Sequence, residues 1–169
     1  MCMNSSLKIR HAGQQDLAAI DDIYNYYITD TAFTFDIEPY TQEQRQAWFD
    51  GLSPDGPHQC FVARSQDQVV GVAYSAPFRV KAAYDTSVEV SVYLSPEAGG
   101  QGLGTKLYTY LFDALKSKDV HRAYAGITQP NMASEALHRL FGFTEIGTYR
   151  EVGRKFGKYW DVKWFEKAL

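Results

Sequence analysis

The sequence predicts one mixed α/β domain, and three observations carry that reading. The first is a change of hydrophobic period between Ser87 and Leu115. Val88, Val90, Val92 and Leu94 alternate with Ser87, Glu89, Ser91 and Tyr93, as in a strand. Leu103, Leu107, Leu111 and Leu115 then recur at every fourth position, as on one face of a helix. The second is the order of such segments along the whole chain, β-α-α-β-β-β-α-β-α-β-β. The third is continuity: nothing repeats, and no low-complexity linker divides the 169 residues, a length suited to one full core.

Taken in order, Leu7 to Arg10 reads as a first strand. Residues 14–28 read as a helix, because Leu17, Ile20, Ile23, Tyr24 and Tyr27 share one face. Thr29 to Tyr40 has no clear period. It contains Thr31-Ala32-Phe33-Thr34-Phe35-Asp36, whose aromatics Phe33 and Phe35 serve equally well as pocket lining or as core cover. Thr41-Gln42-Glu43-Gln44 has the form of a capping box and starts a second helix to about Leu52, anchored by Trp48. Ser53-Pro54-Asp55-Gly56-Pro57 ends it. Gln59 to Ala63 and Val69 to Ser75 form a hairpin across Ser65-Gln66-Asp67-Gln68. A connection from Ala76 to Asp85 leads into the strand that carries Glu89. Beyond the central helix, Arg122 to Ile127 is a strand, Thr128 to Asn131 a loop, and Met132 to Leu140 a short helix stopped at Gly142. Thr144 to Val152 and Tyr159 to Lys167 are the closing strands, around Gly153-Arg154-Lys155-Phe156-Gly157-Lys158.

Composition narrows the function. A net charge of −3 argues against an extended nucleic-acid surface. No run approaches the roughly 18 apolar residues that span a bilayer. Met-Cys-Met-Asn-Ser-Ser at the start has no charged-then-apolar pattern of a secretion signal, and Cys2 and Cys60 make no disulfide framework; both point to the cytoplasm. His11, His58, His121 and His138 are scattered, without cysteine at metal-ligand spacing, so no metal is expected.

The chemistry gathers at Gly99, Gly100, Gly102 and Gly104, between the central strand and its helix. Unpaired N–H groups and partial positive charge at a helix start favour an anion, and glycine lets it approach. The dinucleotide pattern G-x-G-x-x-G is not met, since Thr105 stands where its last glycine belongs. The nucleoside-triphosphate loop fails as well, because no Gly-Lys-Ser/Thr follows. A glycine-rich turn that binds nothing is the plainer alternative. Glu89, on the polar face of a valine-rich strand, is a candidate general base if partial burial raises its pKa; an exposed or ion-paired glutamate is the competing reading. Arg79 and Lys81 read more readily as solvated loop charges than as anion partners. The same choice applies to Arg154, Lys155 and Lys158.

The loop Gly99-Gly100-Gln101-Gly102-Leu103-Gly104, after a strand bearing a carboxylate, resembles the acyl-CoA-binding loop of the GNAT acetyltransferases, with Gly99 where that family usually has Gln or Arg. Tyr84, Val88-Glu89, Val92-Tyr93, Gly126-Ile127, Asn131, Ser134, Leu137-His138, Phe141-Gly142-Phe143 and Gly153-Arg154-Lys155-Phe156-Gly157-Lys158-Tyr159-Trp160-Asp161-Val162 extend the likeness. They resemble the branch that acetylates phosphinothricin and methionine sulfoximine or sulfone. The likeness runs from about Ile9 to the C-terminus and implies a single N-acetyltransferase domain over residues 7–169, with the GNAT fold: a mixed central sheet flanked by helices.

The resemblance implies acetyl-CoA as co-substrate and a small amine as acceptor. It places the general base at Glu89. It assigns the coenzyme to the backbone of Val92, Tyr93 and Leu94, to Gly100, Gln101, Gly102, Leu103, Gly104 and Thr105 at the helix start, and to Asn131. Acceptor contacts fall on Phe33, Phe35, Arg79, Ala82, Ala83 and Tyr84, and a homodimer is expected. The general acid stays unassigned, His138 reading more readily as packing than as chemistry. Two other functions remain open: an acetyltransferase of another amine, such as a polyamine or protein N-terminus, and a coenzyme-binding sensor without catalysis.

Overall fold

The computed structural model describes residues 7–169, so Cys2 and the rest of the N-terminal hexapeptide lie outside the described residues. The elements follow the expected order: β1 (Lys8–His11), α1 (Leu17–Asp30), α2 (Gln42–Asp50), β2 (Cys60–Ser65), β3 (Gln68–Pro77), β4 (Ser87–Leu94), α3 (Leu103–Leu115), β5 (Arg122–Thr128), α4 (Met132–Leu140), β6 (Thr144–Lys155) and β7 (Lys158–Ala168). The strands form one sheet in the order β1-β2-β3-β4-β5-β7-β6. Neighbours are antiparallel except β4 and β5, which run parallel.

Alternation along β4 sorts the two faces. Val88 and Val90 are buried under α3, whose Leu103, Leu107, Leu111 and Leu115 line up with Tyr108 and Phe112 in the main core. Each fully buried leucine contributes about 1.5–3 kcal/mol, which makes this face the principal source of stability. Tyr93 turns the other way, towards α1 and α2, where Leu17 and Ile20 meet Cys60, Val62 and Val72. The capping box at α2 forms as expected: the Gln44 N–H donates to Thr41 Oγ1 at 3.2 Å, and the Thr41 N–H donates to Gln44 Oε1 at 2.9 Å.

Most differences from the sequence reading are at element ends. The α1 helix starts at Leu17, after a tight 3-10 turn at Gln14–Asp16. There Asp16 is buried and accepts from the Arg10 guanidinium at 2.6 and 2.9 Å and from the Gly13 N–H at 2.8 Å. Two hairpins close more tightly than their composition indicates. Gln66 and Asp67, with φ of 49° and 66°, turn β2 into β3. Phe156 and Gly157, with φ of 54° and 74°, turn β6 into β7. Paired left-handed residues match the twist of a two-residue hairpin, so both strands extend into stretches that read as loop.

Candidate active site

The site begins where the sheet comes apart. β4 and β5 keep register only at Ser87↔Arg122, Val88↔Ala123 and Glu89↔Tyr124, and then diverge. Beyond Glu89 the two prongs enclose a cavity of about 270 Å³, lined by Val90–Leu94 on one side and Ala125–Thr128 on the other. Gly104 and Tyr108 of α3, and Asn131, Ser134, Leu137 and His138 of α4, close one wall; Tyr27 and Phe33 close the opposite one.

Register decides which backbone groups face this fork. The Ser95 N–H donates to Val70 O at 2.9 Å, continuing the β3–β4 register that pairs Tyr93 with Val72. In an antiparallel ladder the hydrogen-bonded positions alternate, so Tyr93 spends its N–H and C=O on β3. Val92 and Leu94 turn theirs into the fork. Of the expected backbone trio, two members therefore turn their backbone groups into the cavity, and Tyr93 contributes a half-buried side chain on the α1 face instead. An extended ligand rich in amides fits such an edge as an added strand.

The glycine loop resolves residue by residue. Gly100 and Gly102 have φ of 76° and 70°, with nothing within 4 Å of a hypothetical Cβ, so the backbone there is open to an approaching group. Gly99 is ordinary extended backbone, with φ −65° and ψ 154°. Gly102 caps α3 without a side chain, and the first bond of the helix runs from the Lys106 N–H to Gly102 O at 3.2 Å. The N–H groups of Leu103, Gly104 and Thr105 thus have no acceptor among the described residues, as a helix start dictates. Gly104 also serves packing, since a Cβ there would stand 3.2 Å from Leu137 Cδ2. The Gln101 side chain is exposed, and Leu103 is core. On the far side of this loop lies a larger groove of about 970 Å³, but Asp22, Asp67 and Glu97 line it against Lys106, a poor charge balance for phosphates. Asn131 both lines the cavity and caps α4, its Oδ1 accepting from the Ser134 N–H at 3.1 Å.

Glu89 is half-buried at the last position where β4 pairs with β5, on the α1 face. Burial pushes its carboxyl above the ordinary range, and the positive charge of Arg79 opposes that shift. Arg79 lies with its guanidinium 4.1 Å from the Phe78 ring centre and 5.6 Å from that of Trp164. Phe78 stacks on Tyr124 at 4.3 Å and meets Tyr84 edge-on at 5.9 Å. Glu89 therefore sits beside an aromatic wall with one cation on it. Ala82, Ala83 and Tyr84 form an exposed 3-10 turn at its rim, and Lys81 is exposed. Phe33 and Phe35 part company: Phe33 reaches the cavity, while Phe35 lies against Gly153 of β6.

Several contributors carry no sequence signal as site residues. Tyr27, read as core by its helical spacing, lines the cavity; Tyr124 and Trp164 read as ordinary strand aromatics. His138 is buried, with Nδ1 2.8 Å from Ser134 O and Nε2 2.9 Å from the Tyr108 hydroxyl. A carbonyl only accepts, so Nδ1 carries the hydrogen, and the Tyr108 O–H donates to Nε2. Burial lowers the His138 pKa, so the ring is neutral near pH 7 and ties α3 to α4.

A GNAT acetyltransferase domain matches residues 9–164. The chain belongs to the GNAT acetyltransferases. It is 51% identical over 167 residues to phosphinothricin N-acetyltransferase of Streptomyces coelicolor, with 98% of both chains covered. It is 33% identical to the L-methionine sulfoximine/L-methionine sulfone acetyltransferase of Pseudomonas paraeruginosa, covering 97% of this chain and 95% of that one. A GNAT phosphinothricin acetyltransferase from Sinorhizobium meliloti, solved in complex with acetyl-CoA, superposes with a TM-score of 0.91 at 30% identity, covering 96% of this chain and 88% of that one. The chain is thus a phosphinothricin N-acetyltransferase-like enzyme, and the forked sheet is the GNAT fold.

Proposed function

We propose that this acetyltransferase moves the acetyl group of acetyl-CoA to the amine of a small amino acid or analogue, with Glu89 as general base. Phosphinothricin and methionine sulfoximine or sulfone are the acceptors that its relatives' names supply. The observation that carries the reading is Glu89 itself, a half-buried carboxylate with a raised pKa where the fork opens, beside Arg79. The amine must lose a proton before its lone pair can attack the thioester carbon, and a base poised nearer neutrality takes that proton efficiently. The C–N bond forms, the C–S bond breaks, and the coenzyme leaves as its thiolate. Arg79 and the N–H groups at the α3 start suit the two anionic partners, a substrate carboxylate or phosphinate and the coenzyme pyrophosphate. Asn131 and the fork-facing backbone of Val92 and Leu94 take the pantetheine arm.

Attack is direct in this scheme. Cys60 is buried and burial drives its thiol pKa upward, which leaves it inert as a nucleophile. The active form is a homodimer.

The test is thiol release from acetyl-CoA with phosphinothricin, methionine sulfone, free amino acids, a polyamine and a short peptide. Turnover is expected with the phosphinate or sulfone and is expected to fall about 10²–10⁴-fold in Glu89→Gln. Turnover confined to the polyamine or peptide would reassign the acceptor; full activity in Glu89→Gln would remove it as the base.

A further inference from the structure

Tyr27, near the end of α1, makes an unusual pair of contacts. Its hydroxyl donates to Leu94 O at 2.8 Å and accepts from the Leu94 N–H at 3.3 Å. In extended backbone the N–H and C=O of one residue point the same way, so one hydroxyl can serve both. These are the groups that the strand register turns into the fork, and they lie in the cavity that Tyr27 itself lines. A strand neighbour would offer an amide there; the protein offers a phenol.

We infer that Tyr27 is a built-in stand-in for a coenzyme amide: its hydroxyl covers the open end of β4 and swings off Leu94 when the pantetheine arm arrives. It is thus a residue that sets coenzyme affinity by competing for the same two backbone groups. The inference rests on the acetyl-CoA reading of the fork given above.

The Tyr27 carbonyl accepts from Thr31 Oγ1 at 2.9 Å and from Lys155 Nζ at 3.3 Å, which pins the backbone at the helix end. Tyr27 therefore clears the strand by rotating its side chain, not by shifting the helix. Without the stand-in, two backbone groups at the sheet opening lose their protein partner, at a cost to the free enzyme alone. Wild-type coenzyme binding must meet the loss of that pair of bonds; a variant lacking the hydroxyl is spared it.

The consequence runs against the usual effect of deleting a hydroxyl at a binding site. Tyr27→Phe is expected to melt at a lower temperature without ligand, to bind acetyl-CoA about fivefold more tightly by calorimetry in the absence of amine, and to show a larger melting shift at saturating acetyl-CoA. An acetyl-CoA affinity that is unchanged or weaker in Tyr27→Phe overturns the inference, a weaker one meaning that the hydroxyl touches the bound coenzyme. A wild-type enzyme that binds no acetyl-CoA overturns the reading of the fork, and the inference with it. Hydrogen exchange on the wild-type enzyme is a second, variant-free measurement: the Leu94 amide is expected to be protected without ligand, and exchange at the rate of a free amide contradicts the stand-in.

Discussion

Glu89, the proposed base, shows how burying a carboxyl is costly to the fold. Burial disfavours its charged form and raises its pKa, so across the interval between its unfolded and folded pKa the native state holds the proton more firmly than the unfolded chain. The native state then binds more protons than the unfolded state, and stability falls as pH rises through that interval. Glu89→Gln removes the titration while keeping the shape. We expect its melting temperature to match wild type below about pH 4.5, near the ordinary carboxyl value, and to be equal or higher near pH 7, even as activity is lost. Melting scans of both proteins across that range test this, and a variant that is markedly less stable at neutral pH would show Glu89 to be a structural ion-pair partner instead. In the wild type, kcat/KM for the amine should rise with pH as Glu89 deprotonates. His138 takes no comparable part: its Nδ1–H is committed to Ser134 O, and the neutral ring has no second proton to give.

At the scale of elements, the late segment Lys155-Phe156-Gly157 followed by Asp161 acquires a physical meaning. Lys155 is buried and donates to Thr34 O at 2.8 Å as well as to Tyr27 O, fastening the loop after α1 to the end of β6. Phe156 and Gly157 form the left-handed turn, and Asp161 Oδ1 accepts from the Glu151 N–H at 2.7 Å where the β6–β7 register shifts. Gly153 leaves room for the Phe35 ring, which a Cβ would strike. Lys155→Met strands the Thr34 carbonyl, Tyr27 O keeping Thr31 Oγ1, at a cost of about 1–3 kcal/mol, lowering the melting temperature by roughly 2–10 °C. Gly153→Ala displaces Phe35 and with it the loop that carries Phe33, so amine kcat/KM is expected to fall on the order of tenfold or more while acetyl-CoA affinity holds. Steady-state kinetics varying each substrate separate these effects, and equal loss for both substrates would count against an acceptor-side role. Much of this was legible beforehand: strand alternation located Glu89, and fourfold leucine spacing located α3. The fork was not, because it depends on where β4 and β5 stop pairing, a relation between segments far apart in sequence. Tyr27 and Lys155 were hidden for the same reason, their partners lying 67 and 121 residues away in Leu94 and Thr34.

For the whole molecule, the sheet ends in an edge that a monomer leaves open. β6 spans twelve residues with, among the described residues, only β7 beside it, and Ile146, Tyr149 and Val152 along it are 51%, 55% and 54% exposed. Long edges with unpaired backbone groups and apolar side chains favour pairing with another chain, and proteins that stay monomeric usually blunt them with charge. We take this edge as the candidate surface for the expected homodimer. Sedimentation should therefore give twice the 19.1 kDa chain mass, and Ile146→Lys with Val152→Lys should return it to one. A wild-type monomer at assay concentration would dismiss the dimer, and a doubly substituted protein that stays dimeric would move the interface elsewhere. The same strand carries Gly153 and Lys155, which hold the loop after α1 through Phe35 and Thr34. If the proposed dimer forms at β6, loosening the edge should then raise the KM for the amine in step with dissociation, because that strand also holds Phe35 and the loop after α1.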